Sequence, residues 1–474
     1  MKRIISLFIV CLLIFSLCSC KTLVPQPDSG GSTPTVNENN TPDGSSDTTD
    51  TTTPTSPPST GGSEDSGTSG GDTASQGGGN SGGGNSGGGE ASGGGTATPP
   101  PPINSGTEIV SHHTPLSRDE YYQYSHLSAQ QKQLYNAMYS AAELGVNDID
   151  VKKLSLTRND VVKVYKAFTA DNPQFFYISK HYSYTISESD STILNFTLYY
   201  SDGVNEDDFD DNGNRISTAN RAAISRQKAE FDKKIGEILA SIPSDVRKVE
   251  IERLIYDYVC DNVTYDDETA DKVKSGTDTV THSFDAYGAA CKSLAVCEGY
   301  AKLFQYLCYR TGINSTQVLG AEGTYHMWNA IQIDGKWYFV DTTWDDSEEK
   351  GFNFYRYFNV TAASVADNHP ADSSVLTVPE CTSTDAAFYN VFALCTNGND
   401  LPSNYKEIID LTYNYSGRFL CIYRTEESLD LSRFIDLQIR SPRSPIRQYI
   451  AEKGYPMTIG ECRFIDTYYY IKLF

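Results

Sequence analysis

Residues 21–107 contain no aromatic residue and no cysteine, yet hold 21 of the chain's 37 glycines. Gly, Ser, Thr, Pro and Asp dominate, with near-repeats such as Gly77-Gly78-Gly79-Asn80-Ser81-Gly82. Such a tract cannot bury enough apolar surface to offset the entropy of ordering it, so it is expected to stay disordered. Any core in this 474-residue chain must therefore come from elsewhere, and all 32 tyrosines and all three tryptophans lie beyond residue 107. The remainder, 108–474, is ample for a large core. As a flexible coil the tract averages roughly 50 Å end to end and extends to on the order of 290 Å. Pro99–Pro102 stiffen its distal end, and its expected use is to hold a folded head away from a surface.

The start of the chain suggests which surface. Met1-Lys2-Arg3 precedes a mostly apolar run from Ile4 to Leu17, then Cys18-Ser19-Cys20. A charged start, a short apolar segment and small residues at its end describe an export signal. The run is short for a membrane-spanning helix, which needs about 20 apolar residues. Leu17-Cys18-Ser19-Cys20 resembles a bacterial lipobox, which implies cleavage after residue 19 and lipid attachment at Cys20. The expected location is extracytoplasmic, lipid-anchored to the bacterial cell membrane.

The balance of 38 Lys+Arg against 61 Asp+Glu, a net charge of −23, argues against a protein that coats nucleic acid, because phosphate binding needs clustered cations. Neither a Gly-X-Y repeat nor a sustained heptad is present, which excludes collagen-like and coiled-coil folds. One acidic stretch, Asp208-Phe209-Asp210-Asp211-Asn212-Gly213, matches the first half of a calcium loop. Its twelfth position is Ala219, where a bidentate Glu is required, so a solvated turn is the better reading.

Residues 117–170 read as helical. Ser128-Ala129-Gln130-Gln131 is a capping box, followed by Leu134, Tyr135, Met138, Tyr139 and Ala142 at helical spacing. Thr157-Arg158-Asn159-Asp160 caps a second helix, which Pro173 ends. Residues 175–200 alternate around 187–191 as a hairpin does. Further helices are predicted from about Thr218 to Ala240 and from Ser244. Near the end of the chain, 408–415, 419–423 and 464–471 read as strands and 446–452 as a short helix.

Residues 286–346 carry the chemistry. Ala295-Val296-Cys297-Glu298-Gly299-Tyr300-Ala301 opens an amphipathic helix with Leu303, Phe304, Leu307 and Cys308, stopped by Gly312. Cys297 then falls in the first turn, where unpaired N–H groups and the helix dipole stabilise a thiolate and can hold a developing oxyanion. Downstream, Asp334-Gly335 joins two β-prone runs, the strongest short hairpin signal. A two-residue turn pairs Ile333 with Lys336, so His326 would oppose Thr343 and Asp341 would share its face at about 7–8 Å. A cysteine on a helix N-terminus, with a histidine and a carboxylate on a nearby sheet, is the layout of nucleophile, base and orienter.

Val296-Cys297-Glu298-Gly299-Tyr300-Ala301, His326-Met327-Trp328-Asn329-Ala330 and Val340-Asp341-Thr342-Thr343-Trp344-Asp345 together resemble the bacterial transglutaminase-like superfamily. The lead-in Ile255–Val259 and Val263–Asp266, and the downstream Tyr357–Val360 and Asp367-Asn368-His369, extend the resemblance over about 250–372. It implies a papain-like α+β fold with Cys297, His326 and Asp341 as the catalytic triad. It also puts Tyr265 where some relatives carry an oxyanion-side residue. Known members include protein cross-linkers, peptidases, peptide N-glycanases and some inactive proteins.

The expected organisation is a signal peptide (1–19), a lipid-anchored linker (20–107), a helical and β-hairpin domain (108–243), a transglutaminase-like core (244–375) and a small α+β accessory region (376–474). The expected function is cysteine-nucleophile acyl transfer on peptide or protein amides, hydrolytic or transamidating, with cell-wall peptide among the candidate substrates. The rival is a non-catalytic surface- or wall-binding module that keeps the fold. No cofactor or metal is called for. His282, Cys291 and Cys297 lack the paired spacing of a zinc site. With Cys11 and Cys18 of the signal, Cys20 and Cys297 set aside, the remaining seven cysteines are expected to be mostly reduced core residues. The three tryptophans crowd one hairpin as packing, one of them a candidate wall of the substrate cleft.

Overall fold

The first long helix, α1 (Ala129–Leu144), begins where its caps demand. Ser128 Oγ accepts the Gln131 N–H at 3.3 Å, and Gln131 Oε1 accepts the Ser128 N–H at 2.9 Å. Gly145, with φ 69°, ends it in the left-handed conformation. A short strand, β1 (Asp148–Asp150), follows within the region predicted as wholly helical. Helix α2 (Arg158–Asp171) carries the second capping box, between Thr157 and Asp160. The predicted hairpin is β2 (Ile178–Ile186) with β3 (Ile193–Tyr200), and β1 joins it on the far edge of β3. The backbone groups of 148–150 are taken up by that open edge, a long-range pairing that local propensity does not signal.

The computed structural model describes residues 109–110 and 112–473, apart from 188, 206, 210–214, 218–220, 278–279, 322–325, 348–351, 397, 415–418, 426–429 and 466–467. The signal-like start, Cys20, the linker and most of the calcium-like loop lie outside the described residues. The backbone flanking that loop is a short antiparallel pair, 207–209 with 215–217. Among the described residues no helix is long and apolar enough to cross a membrane.

Helix α3 (Arg221–Ala240) buries Ile224, Phe231, Ile235 and Ile238 on one face. Helix α4 (Lys248–Asn262) starts four residues later than predicted, because Asp245 takes a positive φ and 246–247 pair as a strand with 109–110. Two short parallel strands, β4 (Thr264–Tyr265) and β5 (Leu294–Ala295), lead into helix α5 (Cys297–Arg310). This helix is covered on nearly all sides. Leu303, Phe304, Leu307, Cys308 and Gln305 are fully buried, and each large apolar side chain so buried contributes about 1.5–3 kcal/mol. Gln305 is tolerated because its carbonyl oxygen accepts from Gln317 Nε2 at 2.8 Å.

An antiparallel sheet follows: β6 (Ser315–Leu319), β7 (Met327–Ile333) and β8 (Lys336–Val340), in that order. Its hairpin has the predicted register, Ile333 opposite Lys336, with positive φ at both Asp334 (49°) and Gly335 (76°). These are the dihedrals of a tight turn that follows the strands' twist.

The accessory region needs two corrections. Residues 408–414 are helical, within α6 (Tyr405–Asn414), rather than a strand. Ile408, Ile409, Leu411 and Thr412 are buried together, a 3.6-residue stripe that β-prone side chains disguise. The run 464–471 is two strands, β10 (Ile459–Ile465) and β11 (Tyr468–Leu473), paired antiparallel with Ile465 opposite Tyr468. With 393–396 and β9 (Phe419–Arg424) they make a mixed four-stranded sheet. Alternation along β9 and β11 decides its two sides. Leu420, Ile422, Ile471 and Leu473 join a local core with α6 and helix 445–453, whereas Cys421 and Tyr470 belong to the core that runs back to α1.

Candidate active site

Cys297 is the first residue of α5 and is buried at 5% exposure. It packs with Ala301 of its own helix and with Met327 of β7. A second tie between helix and sheet runs from Asn329 Nδ2 to the Ala301 carbonyl at 3.1 Å. The helix start is forced into place by its neighbours. Val296 N–H donates to the Ser283 carbonyl at 2.9 Å. At Gly299 a Cβ would sit 2.7 Å from both Ser283 O and the Ala295 side chain, so only glycine allows this approach. The N–H of Cys297 stands at the first helical position, at the positive end of the helix dipole.

The ladder between β7 and β8 ends at the Asn329–Val340 pair. His326 and Asp341 lie just past it. As expected of diagonal neighbours with long side chains, the two side chains meet. His326 Nε2 is 2.5 Å from Asp341 Oδ2. A neutral His326 that donates Nε2–H to the carboxylate keeps its lone pair on Nδ1, which is therefore the nitrogen able to accept a proton. Asp341 is fixed from its other side, where Oδ1 accepts the N–H groups of Thr343 at 2.8 Å and Trp344 at 3.2 Å.

Two buried carboxyls stand four residues apart here, and their surroundings push them in opposite directions. Burial alone would raise the Asp341 pKa, but the His326 charge and hydrogen bond, with that of His369, hold it well below the usual carboxylate range. Burial pushes Asp345 up to about 7, against hydrogen bonds from the Tyr256 hydroxyl and the Tyr357 N–H. Asp341 is thus the ionised partner of the histidine.

Tyr265 pairs with Ala295 in the parallel ladder, two residues before Cys297, and its ring is 6.4 Å from that of Tyr300. Trp328 is buried and packs near Phe339 and His326. Trp344 is 41% exposed and lies 5.4 Å from the His326 ring and 4.7 Å from that of His369. It is the tryptophan that walls the site on the solvent side. His282 is bound elsewhere, to Asp285 at 2.7 Å through Nδ1. Burial pushes the half-buried Cys291 thiol up to about 12. Cys260, Cys308, Cys381 and Cys421 are buried thiols.

One residue given no role in the sequence reading arrives at the site. His369 Nε2 is 2.8 Å from the same Asp341 oxygen that His326 meets. Its segment, Asp367-Asn368-His369, is part of the resemblance above, but nothing in its spacing from Asp341 reveals the contact.

Residues 237–342 match the sequence model of the Transglutaminase-like superfamily, a span that includes Cys297, His326 and Asp341 and stops short of His369. The chain therefore carries a transglutaminase-like superfamily domain within a mixed helix-and-sheet architecture. Among curated proteins it is similar to kyphoscoliosis peptidase of Mus musculus, 25% identical over 166 residues, covering 31% of this chain and 24% of that protein. The Homo sapiens protein of the same name is 24% identical over 130 residues, covering 25% and 18%. The chain thus spans about a quarter or less of the length of these relatives. A solved structure described as "Crystal structure of a TGase" aligns at 14% identity and a TM-score of 0.23, over 35% of this chain and 45% of that one.

Proposed function

We propose that this chain is a cysteine-nucleophile acyl-transfer enzyme acting on peptide or protein amides outside the cytoplasm, held to a membrane by a lipid on Cys20. The observation that carries the chemistry is the 2.5 Å contact of His326 Nε2 with Asp341 Oδ2, on the sheet against which the N-terminus of the Cys297 helix packs. His326 Nδ1 takes the thiol proton, and Asp341 stabilises the resulting imidazolium. The Cys297 sulfur attacks the amide carbonyl carbon. The developing oxyanion is held by the first-turn N–H of Cys297, with Tyr265 as a candidate second donor. Collapse breaks the C–N bond, and His326 returns the proton to the departing amine. Water or a second amine then attacks the thioester, giving hydrolysis or transamidation. The buried position of Cys297, His326 and Asp341 supports chemistry away from bulk solvent.

The test is the rate of iodoacetamide labelling of Cys297 across pH, with turnover of peptide libraries by wild type and Cys297→Ala. An activated thiol, a thioester trapped on Cys297 and loss of turnover in the variant are expected. Labelling typical of an ordinary thiol, with no difference in turnover, would leave the binding-module reading instead.

A further inference from the structure

His369 is more than a cysteine–histidine–aspartate arrangement requires. One ring nitrogen of His326, one of His369 and an Asp341 carboxylate oxygen all lie within 4.8 Å of one another, the one such grouping of His, Cys, Asp and Glu ligand atoms among the described residues. Both imidazoles converge on Oδ2, at 2.5 and 2.8 Å, because Oδ1 is occupied by two backbone N–H groups. On its far side His369 Nδ1 is 2.8 Å from Asn368 Oδ1. With Nδ1–H donated to that oxygen, a neutral His369 turns the lone pair of Nε2 toward a carboxylate oxygen; in the other tautomer Nε2–H donates to it. In the first tautomer the two facing acceptors, 2.8 Å apart, call for a cation between them, a second ring proton or a metal ion.

We propose that His326, Asp341 and His369 bind one divalent transition-metal ion of the zinc type, and that the bound ion switches the cysteine chemistry off. Two imidazoles and one carboxylate suit Zn²⁺, whereas Mg²⁺ and Ca²⁺ favour all-oxygen sites. Zinc bonds of about 2.0–2.2 Å put neighbouring ligand atoms about 3.3–3.6 Å apart, so the 2.5 and 2.8 Å contacts open by about 1 Å or less. The supports that orient such ligands are already built, from Asn368 behind His369 and from the Thr343 and Trp344 N–H groups behind Asp341. His326, Asp341 and His369 are 9%, 2% and 2% exposed, with the Trp344 indole as the outer wall. The off state follows from the tautomer. A metal on Nε2 of a neutral His326 moves the ring proton to Nδ1, which then has no lone pair to accept the Cys297 proton. This last step rests on the acyl-transfer reading; the metal site does not.

The experiment uses the full chain stripped with EDTA and titrated with Zn²⁺ against a chromogenic zinc indicator. One ion per chain is expected, with affinity lowered at least about tenfold in His369→Ala and in His369→Gln. Zinc should slow iodoacetamide labelling of Cys297, read by mass spectrometry, and EDTA should restore it. Anomalous scattering at the zinc edge from wild-type crystals locates the ion even if the variants fail to fold. An ion on these three side chains supports the proposal. No stoichiometric ion, an ion elsewhere, or undiminished binding in folded His369→Ala overturns it, and binding here without slowed labelling overturns the off state. A metal-free Cys297 that labels as an ordinary thiol sinks the acyl-transfer reading and leaves the metal result to stand or fall by itself.

Discussion

Asp341→Asn removes the charge that organises the site while keeping its shape. The carboxylate has four partners: the Thr343 and Trp344 N–H groups donate to Oδ1, and the His326 and His369 ring nitrogens meet Oδ2. An asparagine can keep only one side. With its oxygen toward the backbone N–H groups, its NH2 faces the two imidazoles, and each ring must present a lone pair to it. His326 then carries its proton on Nδ1 and cannot act as base. Exchange of the carboxylate for an amide at the equivalent place in a catalytic triad costs on the order of 10⁴ in turnover, and the Cys297 labelling rate at neutral pH should fall at least tenfold. The stability cost is set by two hydrogen bonds to a charged group, about 1.5–3 kcal/mol each, partly offset by no longer burying a charge. A net loss of about 3 kcal/mol corresponds to a Tm lower by about 4 °C for a folded region of this size. The difference must also depend on pH. The folded pKa of Asp341 lies below its unfolded value, so its contribution is complete above about pH 4 and fades as pH falls through the folded value. Thermal melts of wild type and variant from pH 7 downward should therefore converge in acid. A folded Asp341→Asn variant with near wild-type labelling and a parallel acid profile would refute the assigned role.

Gly299→Ala should lower the denaturant midpoint by the equivalent of about 1–3 kcal/mol, because its Cβ meets Ser283 O and the Ala295 side chain at 2.7 Å; it should also disturb Cys297 labelling, and an unchanged midpoint would show that the 283–285 segment yields freely. Gly335→Ala, at φ 76°, should cost about 1–2 kcal/mol in a urea titration with the slope unchanged. For His282, burial lowers the pKa but the Asp285 charge and hydrogen bond outweigh it, so the folded value is raised. The stabilisation is full below about 6.5 and is lost as pH rises through the folded value, so melts of His282→Gln should lack a decline that wild type shows above about pH 6.5.

The sequence alone identified the elements whose signals are local. The capping boxes at Ser128 and Thr157, the Asp334-Gly335 turn and the register it imposes all depend on residues within a few positions of one another, and they stand where they were read. So does Cys297 at a helix start, because a helix's end is marked by its own first turn. Tertiary structure decided what local preference leaves open. Residues 408–414 became helix because a buried stripe outweighed β-prone side chains, and 148–150 became strand because an open sheet edge needed a partner. It also decided which of two nearby carboxyls is ionised, since Asp341 gains two imidazoles while Asp345 gains mainly burial. Above all it brought His369 to Asp341 across 28 positions of sequence. Hydrogen bonds between side chains so separated are set by how the layers pack, and no periodicity in the chain encodes them.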